Sequence, residues 1–198
     1  MNTFTTSTGQ VLQHLKATNF KHIEKEVYRI LHSVDPSKSA VVFDIDETVL
    51  MNDDRIRECD GARPNMCIMR VYKRCLELDI SVFFVTARRD SPRNRDWTKR
   101  QLNCIGAHTY KKLYMKPEEY QTAPEISTFK RGARNEIRQE FKRHIVLNVG
   151  DQWTDMLEMS TDAEIDAFIT RDNKSYWLFQ PIEQEEISWD LKLPDRYK

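Results

Sequence analysis

Residues 40–50 read AVVFDIDETVL and give the strongest indication of the fold in this sequence. The first part of this stretch, Ala40 to Ile45, is a short and almost continuously apolar run, typical of a strand that is buried on both faces of a sheet. Asp44 and Asp46 stand two residues apart where this strand leaves the sheet. The stretch therefore predicts a buried strand that ends in a pair of carboxylates.

Helical and strand patterns alternate along the rest of the chain. The predicted elements are a helix within 9–34, helices at Met66 to Glu77, Asn94 to Ile105 and Thr128 to Lys142, and strands at Ile80 to Thr86, Lys112 to Met115, His144 to Val149 and Ile165 to Ile169. This alternation predicts an α/β fold with a doubly wound, mainly parallel sheet flanked by helices. Ligands of such sheets bind beyond the carboxyl ends of the strands. The residues just after the apolar runs are therefore the functional candidates.

The length of the chain, 198 residues, fits one domain that spans 1–198. Its motif-bearing core is predicted at about 38–170, after the N-terminal helix at 9–34. The C-terminal extension, 171–198, is too rich in aromatic residues to be a free tail. We expect it to pack back on the domain.

The sequence predicts an intracellular, cytoplasmic protein with no membrane partner. Lys plus Arg (31) equal Asp plus Glu (31), so no overall field favours nucleic acid or an anionic membrane. The first residues do not have the pattern of a signal peptide, and no run is long enough to span a bilayer. The cysteines are scattered, which predicts ordinary reduced thiols at Cys59, Cys67, Cys75 and Cys104.

The carboxylates of Asp44 and Asp46 are suited to phosphoryl chemistry. One carboxylate at such a strand end can attack phosphorus to give an acyl phosphate. A second one nearby can move the proton of the leaving group or of the attacking water. The same spacing also occurs in acidic turns and calcium loops, so the pair alone leaves both explanations open.

Two further positions are candidates for phosphate binding. The second long strand ends at Thr86-Ala87-Arg88, where a hydroxyl and backbone amides can bind a phosphate oxygen; a threonine that caps the turn is the structural alternative. Lys130 is predicted near the start of a helix, where the helix dipole disfavours a cation. Either an anionic site compensates this lysine, or it is a solvated surface residue.

The third strand runs into residues 150–155, which read GDQWTD. Asp151 and Asp155 offer the hard oxygen ligands that Mg²⁺ prefers, commonly one or two carboxylates together with substrate phosphate. The alternative role of these acids is to cap the helix predicted to begin near Trp153.

These segments together resemble the four motifs of the haloacid dehalogenase superfamily. The motifs are residues 42–50 (VFDIDETVL), residues 84–88 (FVTAR), Lys130 and residues 150–155 (GDQWTD). The sequence DIDET at residues 44–48 and the pattern around Tyr72 to Arg88 most resemble the acid phosphatase branch that contains bacterial class B enzymes and plant vegetative storage proteins. The similarity covers roughly 38–170 and implies a Rossmann-like fold, with a minimal cap because the segment from Met51 to Asp79 is short.

The resemblance also implies a mechanism and a cofactor. Asp44 would be the nucleophile, and Asp46 would act as general acid and then as general base. Thr86, with the backbone at Ala87, and Lys130 would hold the phosphoryl group. The implied cofactor is Mg²⁺, bound by Asp44, the backbone carbonyl of Asp46, Asp151 and Asp155.

The basic stretch 88–116 leaves the substrate open. It holds nine basic and two acidic residues, and Arg88, Arg93 and Arg95 are candidates for guiding a polyanionic substrate. The alternative is a solvated helix face paired with the acidic segment from Asp151 to Asp190, which holds eleven acidic and two basic residues. The sequence therefore favours a Mg²⁺-dependent phosphomonoester hydrolase that acts on a phosphorylated small molecule. The alternatives are a nucleotide or nucleic-acid end phosphatase and a catalytically silent phosphate-binding or storage protein.

Overall fold

A computed structural model describes residues 1–5, 7, 11–52, 58–156, 174–181 and 188–194. The strands are β1 Asn2–Thr5, β2 Val11–Ala17, β3 Ser39–Phe43, β4 Leu50–Asn52, β5 Ala62–Pro64, β6 Ser81–Arg89, β7 Lys112–Lys116, β8 His144–Gly150, β9 Tyr176–Pro181 and β10 Trp189–Lys192. The helices are α1 Phe20–His32, α2 Met66–Glu77, α3 Pro92–Cys104 and α4 Ala123–Gln139. Short 3₁₀ turns lie at Pro36–Lys38, Glu58–Gly61 and Trp153–Asp155.

The centre of the molecule is an eight-stranded sheet with the order β1-β2-β9-β10-β8-β3-β6-β7. The strands from β10 to β7 pair in parallel, whereas β1, β2 and β9 form an antiparallel edge. Strands β4 and β5 form a separate two-stranded hairpin. The predicted α/β fold with a mainly parallel sheet is confirmed.

Strand β3 is buried on both faces, as its apolar sequence predicts. Val41 and Phe43 pack into one core layer, and Ala40 and Val42 pack into the layer on the other side of the sheet. The first layer includes apolar residues of α1, α2 and α3, and the second includes those of α4. Helices on both faces thus hold β3 at the centre, with β8 and β6 as its neighbours.

The N-terminal helix predicted over 9–34 was too long. Residues 11–17 form β2, which pairs antiparallel with β9, and helix α1 begins only at Phe20. The side chain of Asn19 caps this helix by accepting a hydrogen bond from the backbone N–H of Lys21 at 3.0 Å. Leu12 and His14 are buried, whereas the residues between and beside them are more exposed. This period of two is typical of a strand with one covered face.

The described residues of the C-terminal extension, 174–181 and 188–194, pack on the domain by completing the sheet. Trp177 and Phe179 of β9 are buried, and β10 lies parallel to β8. The strand predicted at Ile165 to Ile169 lies outside the described residues. Among the described residues, no helix is both long and apolar enough to cross a membrane.

The prediction of four reduced cysteines was wrong. Cys59 and Cys104 form a disulfide that joins the 3₁₀ turn before β5 to the end of α3, with the two Cα atoms 5.5 Å apart. Cys67 and Cys75 are free. The two bonded cysteines are 45 positions apart, so no short spacing motif marks them as a pair.

Reduction of this disulfide should lower the stability of the fold. The crosslink closes a loop of 45 positions, and the chain-entropy relation gives a loss of about 4 kcal/mol in the free energy of unfolding. Thermal unfolding with and without dithiothreitol measures the effect. The double variant Cys59→Ser/Cys104→Ser is the control and should not respond to the reductant. An unchanged Tm for protein that mass spectrometry shows to be fully reduced would contradict the expectation.

Candidate active site

Three neighbouring strands bring the predicted residues to one edge of the sheet. Asp44 directly follows β3, Thr86 lies near the end of β6, and Asp151 directly follows β8. Strand β3 pairs in parallel with both β6 and β8, so their carboxyl ends lie side by side. The backbone N–H of Asp44 also donates to the carbonyl of Val149 at 2.9 Å, which ties the end of β3 to β8.

The turn after β3 is tight, and this positions the two carboxylates. Glu47 adopts the left-handed backbone conformation with φ 54°, and the N–H of Leu50 donates to the carbonyl of Ile45 at 2.9 Å. The buried Thr48 places its hydroxyl 3.5 Å from Oδ2 of Asp44. No role was predicted for Thr48 from the sequence, although it is the last residue of the DIDET segment.

Lys130 reaches into the site from α4. Its side chain is 2% exposed, and Nζ donates to Oδ1 of Asp44 at 2.8 Å and also pairs with Asp155. The position predicted for this lysine in its helix was wrong: α4 begins at Ala123, so Lys130 lies about two turns inside it. Lys130 is thus too far from the start of α4 for the helix dipole to disfavour its charge. The dipole therefore does not explain why Lys130 pairs with Asp44 and Asp155.

Asp44, Asp151 and Asp155 form a buried acidic cluster, with carboxylate oxygens within 4.8 Å of one another. Burial raises the pKa of Asp44 well above its usual value, and the charge of Asp155 raises it further while Lys130 opposes the shift. Burial and the charge of Asp155 also raise the pKa of Asp151 to about 6. Three carboxylates facing one ammonium group leave excess negative charge, which suits a divalent cation with oxygen ligands.

The loop after β8 is held in place by several short contacts. The backbone N–H of Gln152 donates to Oδ2 of Asp155 at 2.9 Å, and the Gln152 side chain donates to Oδ2 of Asp151 at 2.7 Å. The buried Arg134 of α4 donates to the carbonyls of Asp155 at 3.2 Å and Met156 at 2.8 Å. Arg134 was not predicted from the sequence, although it lies one helical turn after Lys130 and so faces the same loop.

Thr86 and Ala87 lie where the sheet becomes irregular. The register between β6 and β7 is interrupted between Thr86 and Arg89, a feature common beside active sites. Thr86 is buried, and its hydroxyl accepts a hydrogen bond from the backbone N–H of Arg88 at 3.2 Å. Ala87 is half-buried between them. In this structure Thr86 therefore caps the turn, which is the alternative to phosphate binding that the sequence left open. The same hydroxyl lies at the strand end where a phosphate site was predicted.

Arg88 was predicted to guide substrate, but the structure pairs it with Asp46. Its Nε lies 2.8 Å from Oδ2 of Asp46 and its Nη2 lies 2.6 Å from Oδ1, so both carboxylate oxygens accept hydrogen bonds. The Arg88 side chain is 8% exposed and the Asp46 side chain is 37% exposed. The arginine is therefore engaged inside the site, whereas the carboxylate it holds remains accessible.

Four of the other eight basic residues of this stretch are paired with nearby acids. Arg95 binds Asp90 through two contacts, with Nε 3.0 Å from Oδ1 and Nη2 2.5 Å from Oδ2, whereas Arg93 is exposed. The other ion pairs of this stretch are Arg89 with Glu118, Arg100 with Asp60, and Lys112 with Glu136. The stretch thus forms an ion-paired face, as the alternative held, but among the described residues the acids that the structure pairs with it here are Asp60, Asp90, Glu118 and Glu136 and not residues of the segment 151–190.

A mainly parallel sheet with two aspartates after its central strand, a buried lysine and an acidic loop after a neighbouring strand defines an α/β protein of the haloacid dehalogenase class. The chain belongs to the HAD superfamily, subfamily IIIB (Acid phosphatase), because the sequence profile of that family matches residues 59–179. The resemblance stated from the sequence is thus confirmed. The matched residues begin after Asp44 and Asp46, so the arrangement of those two residues is known from the structure.

The chain is also similar in sequence to individual plant proteins. Acid phosphatase 1 of Solanum lycopersicum is 32% identical over 144 residues, a match that covers 64% of this chain and 55% of that protein. The Stem 28 kDa glycoprotein of Glycine max is 30% identical over 90 residues, covering 45% of this chain and 34% of the relative. The chain therefore spans about half or less of the length of these curated relatives.

One solved structure supports the fold. A class C acid phosphatase from Bacillus anthracis, crystallised with tungstate bound, superposes with a TM-score of 0.52 at 19% identity. The match covers 76% of this chain and 70% of that one. At this identity the likeness concerns the fold alone.

Proposed function

We propose that this protein is a Mg²⁺-dependent phosphomonoester hydrolase that transfers the phosphoryl group of its substrate to Asp44. The observation that carries the proposal is the contact between Lys130 and Asp44 inside a cluster of buried carboxylates. A lysine at this position can hold a phosphoryl oxygen next to the attacking carboxylate. Membership of an acid phosphatase family supports the same reaction.

The proposed reaction has two steps. In the first, a carboxylate oxygen of Asp44 forms a bond to phosphorus, the bond from phosphorus to the ester oxygen breaks, and Asp46 gives its proton to the leaving oxygen. In the second, Asp46 takes a proton from water, the water oxygen bonds to phosphorus, and the acyl phosphate bond breaks to release phosphate and Asp44. Lys130, the Thr86 hydroxyl and the backbone at Ala87 hold the phosphoryl oxygens throughout.

The acidic cluster fits the implied metal. Asp44, Asp151 and Asp155, with the backbone carbonyl of Asp46, would supply hard oxygen ligands of the kind Mg²⁺ prefers. The bound ion would neutralise the repulsion between the carboxylates and the substrate phosphate. The excess negative charge of the cluster supports this assignment.

A phosphorylated small molecule is the proposed substrate class. Five of the nine basic residues of the stretch already form local ion pairs, which favours a substrate with one phosphate over a polyanion such as nucleic acid. The contacts of Asp44 with Lys130 and Thr48 favour a catalytic role over a silent storage protein.

The Cys59–Cys104 disulfide favours an oxidising compartment over the cytoplasm expected from the sequence, because cytosolic thiols are kept reduced.

The test is hydrolysis of p-nitrophenyl phosphate with Mg²⁺, followed by a panel of phosphorylated metabolites, nucleotides, phosphopeptides and end-phosphorylated oligonucleotides. We expect turnover of the aryl phosphate and of at least one small phosphomonoester. Release of phosphate from oligonucleotides alone would shift the function to the nucleic-acid alternative. Folded protein with added metal that hydrolyses no compound of the panel would overturn the proposal.

A pair of glycine substitutions tests the packing of the acidic loop. Gly150 has no room for a side chain, because an added Cβ would collide with the side chain of Asp155. Gly150→Ala should therefore displace Asp155 and lower turnover by up to roughly a hundredfold. At Gly132, inside α4, an added Cβ meets nothing within 4 Å.

The substitution Gly132→Ala is the matched control, and it should raise the free energy of unfolding by about 0.5–1 kcal/mol because alanine loses less backbone entropy in a helix. Thermal unfolding and p-nitrophenyl phosphate turnover of both variants measure these effects. Equal behaviour of the two variants would contradict the close approach of Gly150 to Asp155.

A further inference from the structure

The ion pair between Arg88 and Asp46 is supported from behind by helix α3. While Nε and Nη2 of Arg88 bind Asp46, Nη1 donates to the hydroxyl of Thr98 at 3.1 Å and to Oε1 of Gln101 at 2.7 Å. The guanidinium carbon also lies 4.4 Å from the ring centroid of Trp97. The guanidinium is thus fixed on one side by α3 and presents a two-pronged donor to Asp46 on the other.

The support continues into the polypeptide that precedes β5. Thr98 and Gln101 are buried, and the Gln101 side-chain amide donates to the backbone carbonyl of Asp60 at 3.0 Å. The neighbouring Cys59 is bonded to Cys104 at the end of the same helix. Gln101 therefore joins Arg88 to a segment that is covalently attached to α3, which leaves the arginine little freedom to move.

We propose that Arg88 is a positioning residue that orients the carboxylate of Asp46 for proton transfer to the leaving group. Asp46 lies in the turn after β3 with a side chain that is 37% exposed, and the two-pronged contact with Arg88 restricts the rotation of its carboxylate. In the acid form one carboxylate oxygen of Asp46 carries the proton and turns to the leaving group, while the other oxygen accepts from Arg88. The arginine stays in place because α3 binds its Nη1 separately. This inference rests on the proposed phosphatase function and deepens it.

The proposal separates two kinds of substrate. A p-nitrophenolate ion leaves without being protonated, whereas the alkoxide of an alkyl phosphate needs a proton from the general acid as the ester bond breaks. Loss of the orienting contact should thus slow the alkyl phosphate selectively. An arginine that binds the substrate phosphate instead would affect both substrates, because both carry the same phosphate group.

The experiment measures kcat/KM of p-nitrophenyl phosphate and of glycerol 2-phosphate, because kcat/KM covers the steps up to departure of the leaving group. In Arg88→Met we expect kcat/KM to fall at least about tenfold for glycerol 2-phosphate and less than about threefold for p-nitrophenyl phosphate. The inhibition constant of inorganic phosphate should stay the same. Arg88→Lys should show the same selective loss, since an ammonium group keeps the charge but not the two-pronged contact.

Two further variants complete the design. Gln101→Leu should lower kcat/KM of glycerol 2-phosphate by a smaller factor, again with less effect on p-nitrophenyl phosphate. If Arg88→Met does not fold, Gln101→Leu and Arg88→Lys are the variants to compare with the wild type. Arg70→Met is the matched control, because Arg70 makes a similar two-pronged pair with Glu24, at 2.5 and 3.2 Å, between α2 and α1. It should leave the ratio of the two substrates unchanged.

The outcomes distinguish this proposal from the function on which it rests. A wild-type protein that hydrolyses neither substrate overturns the proposed function itself. With an active wild type, an equal loss for both substrates or a weaker inhibition by phosphate in Arg88→Met assigns the arginine to substrate binding and overturns the positioning role. Full recovery of glycerol 2-phosphate turnover in Arg88→Lys also overturns it, because charge alone would then suffice.

Discussion

The substitution Asp44→Asn is expected to lower turnover of p-nitrophenyl phosphate by a factor of about a thousand or more while the fold stays intact. The amide has the same shape as the carboxylate but cannot attack phosphorus. The change should not reduce stability, because Asp44 is buried next to Asp155 and Asp151 and its pKa is raised by burial and by Asp155. A neutral group at this position removes part of that repulsion, and Lys130 keeps its pair with Asp155.

Steady-state kinetics and thermal unfolding measure these two effects side by side. Asp79→Asn is the matched control: Asp79 is exposed, and its left-handed backbone conformation, with φ 56°, is one that asparagine readily adopts. We expect normal turnover in this control. Mass spectrometry after acid quenching should detect a phosphorylated peptide that contains Asp44 in the wild type. Near-normal turnover of folded Asp44→Asn would rule out the covalent route.

The parts of the structure that the sequence predicted well are those with a strong local signal. Strands β3 and β8 are continuous apolar runs, and such runs are typical of parallel strands covered on both faces. Asp44 and Asp151 directly follow these runs. Their meeting at one edge of the sheet follows from the parallel arrangement alone, so the proximity of Asp44 and Asp151 could be predicted without a structure.

The errors have two different causes. In the first group the signal was present but was not used: Thr122 and Glu125 form a capping box that marks the start of α4, and the alternation in 11–17 marks a strand. In the second group no local signal exists. The order that places β10 beside β8 depends on contacts between distant parts of the chain, as does the pairing of Arg88 with Asp46.

Removal of divalent metal is expected to abolish turnover and to lower the Tm near neutral pH. Without a cation, the ionised carboxylates of Asp44, Asp151 and Asp155 repel one another with only Lys130 to oppose them. The pKa of Asp151 is about 6 in the folded protein, against an ordinary value of 3.8. Between these values the folded state binds more protons than the unfolded state, so the stability of the metal-free protein rises as the pH falls through this window.

The decrease in Tm caused by chelation should consequently be large at pH 7.5 and small near pH 5. At the lower pH Asp151 takes up a proton and metal binding weakens. Differential scanning fluorimetry with EDTA or with Mg²⁺ at both pH values measures this difference directly, since other pH effects are common to both samples. Asp151→Asn should remove most of the pH dependence of the difference, and turnover of the chelated wild type should return when Mg²⁺ is added in excess. Full turnover after exhaustive chelation, or a Tm that does not respond to Mg²⁺ at pH 7.5, would contradict the assignment of the acidic cluster as a metal site.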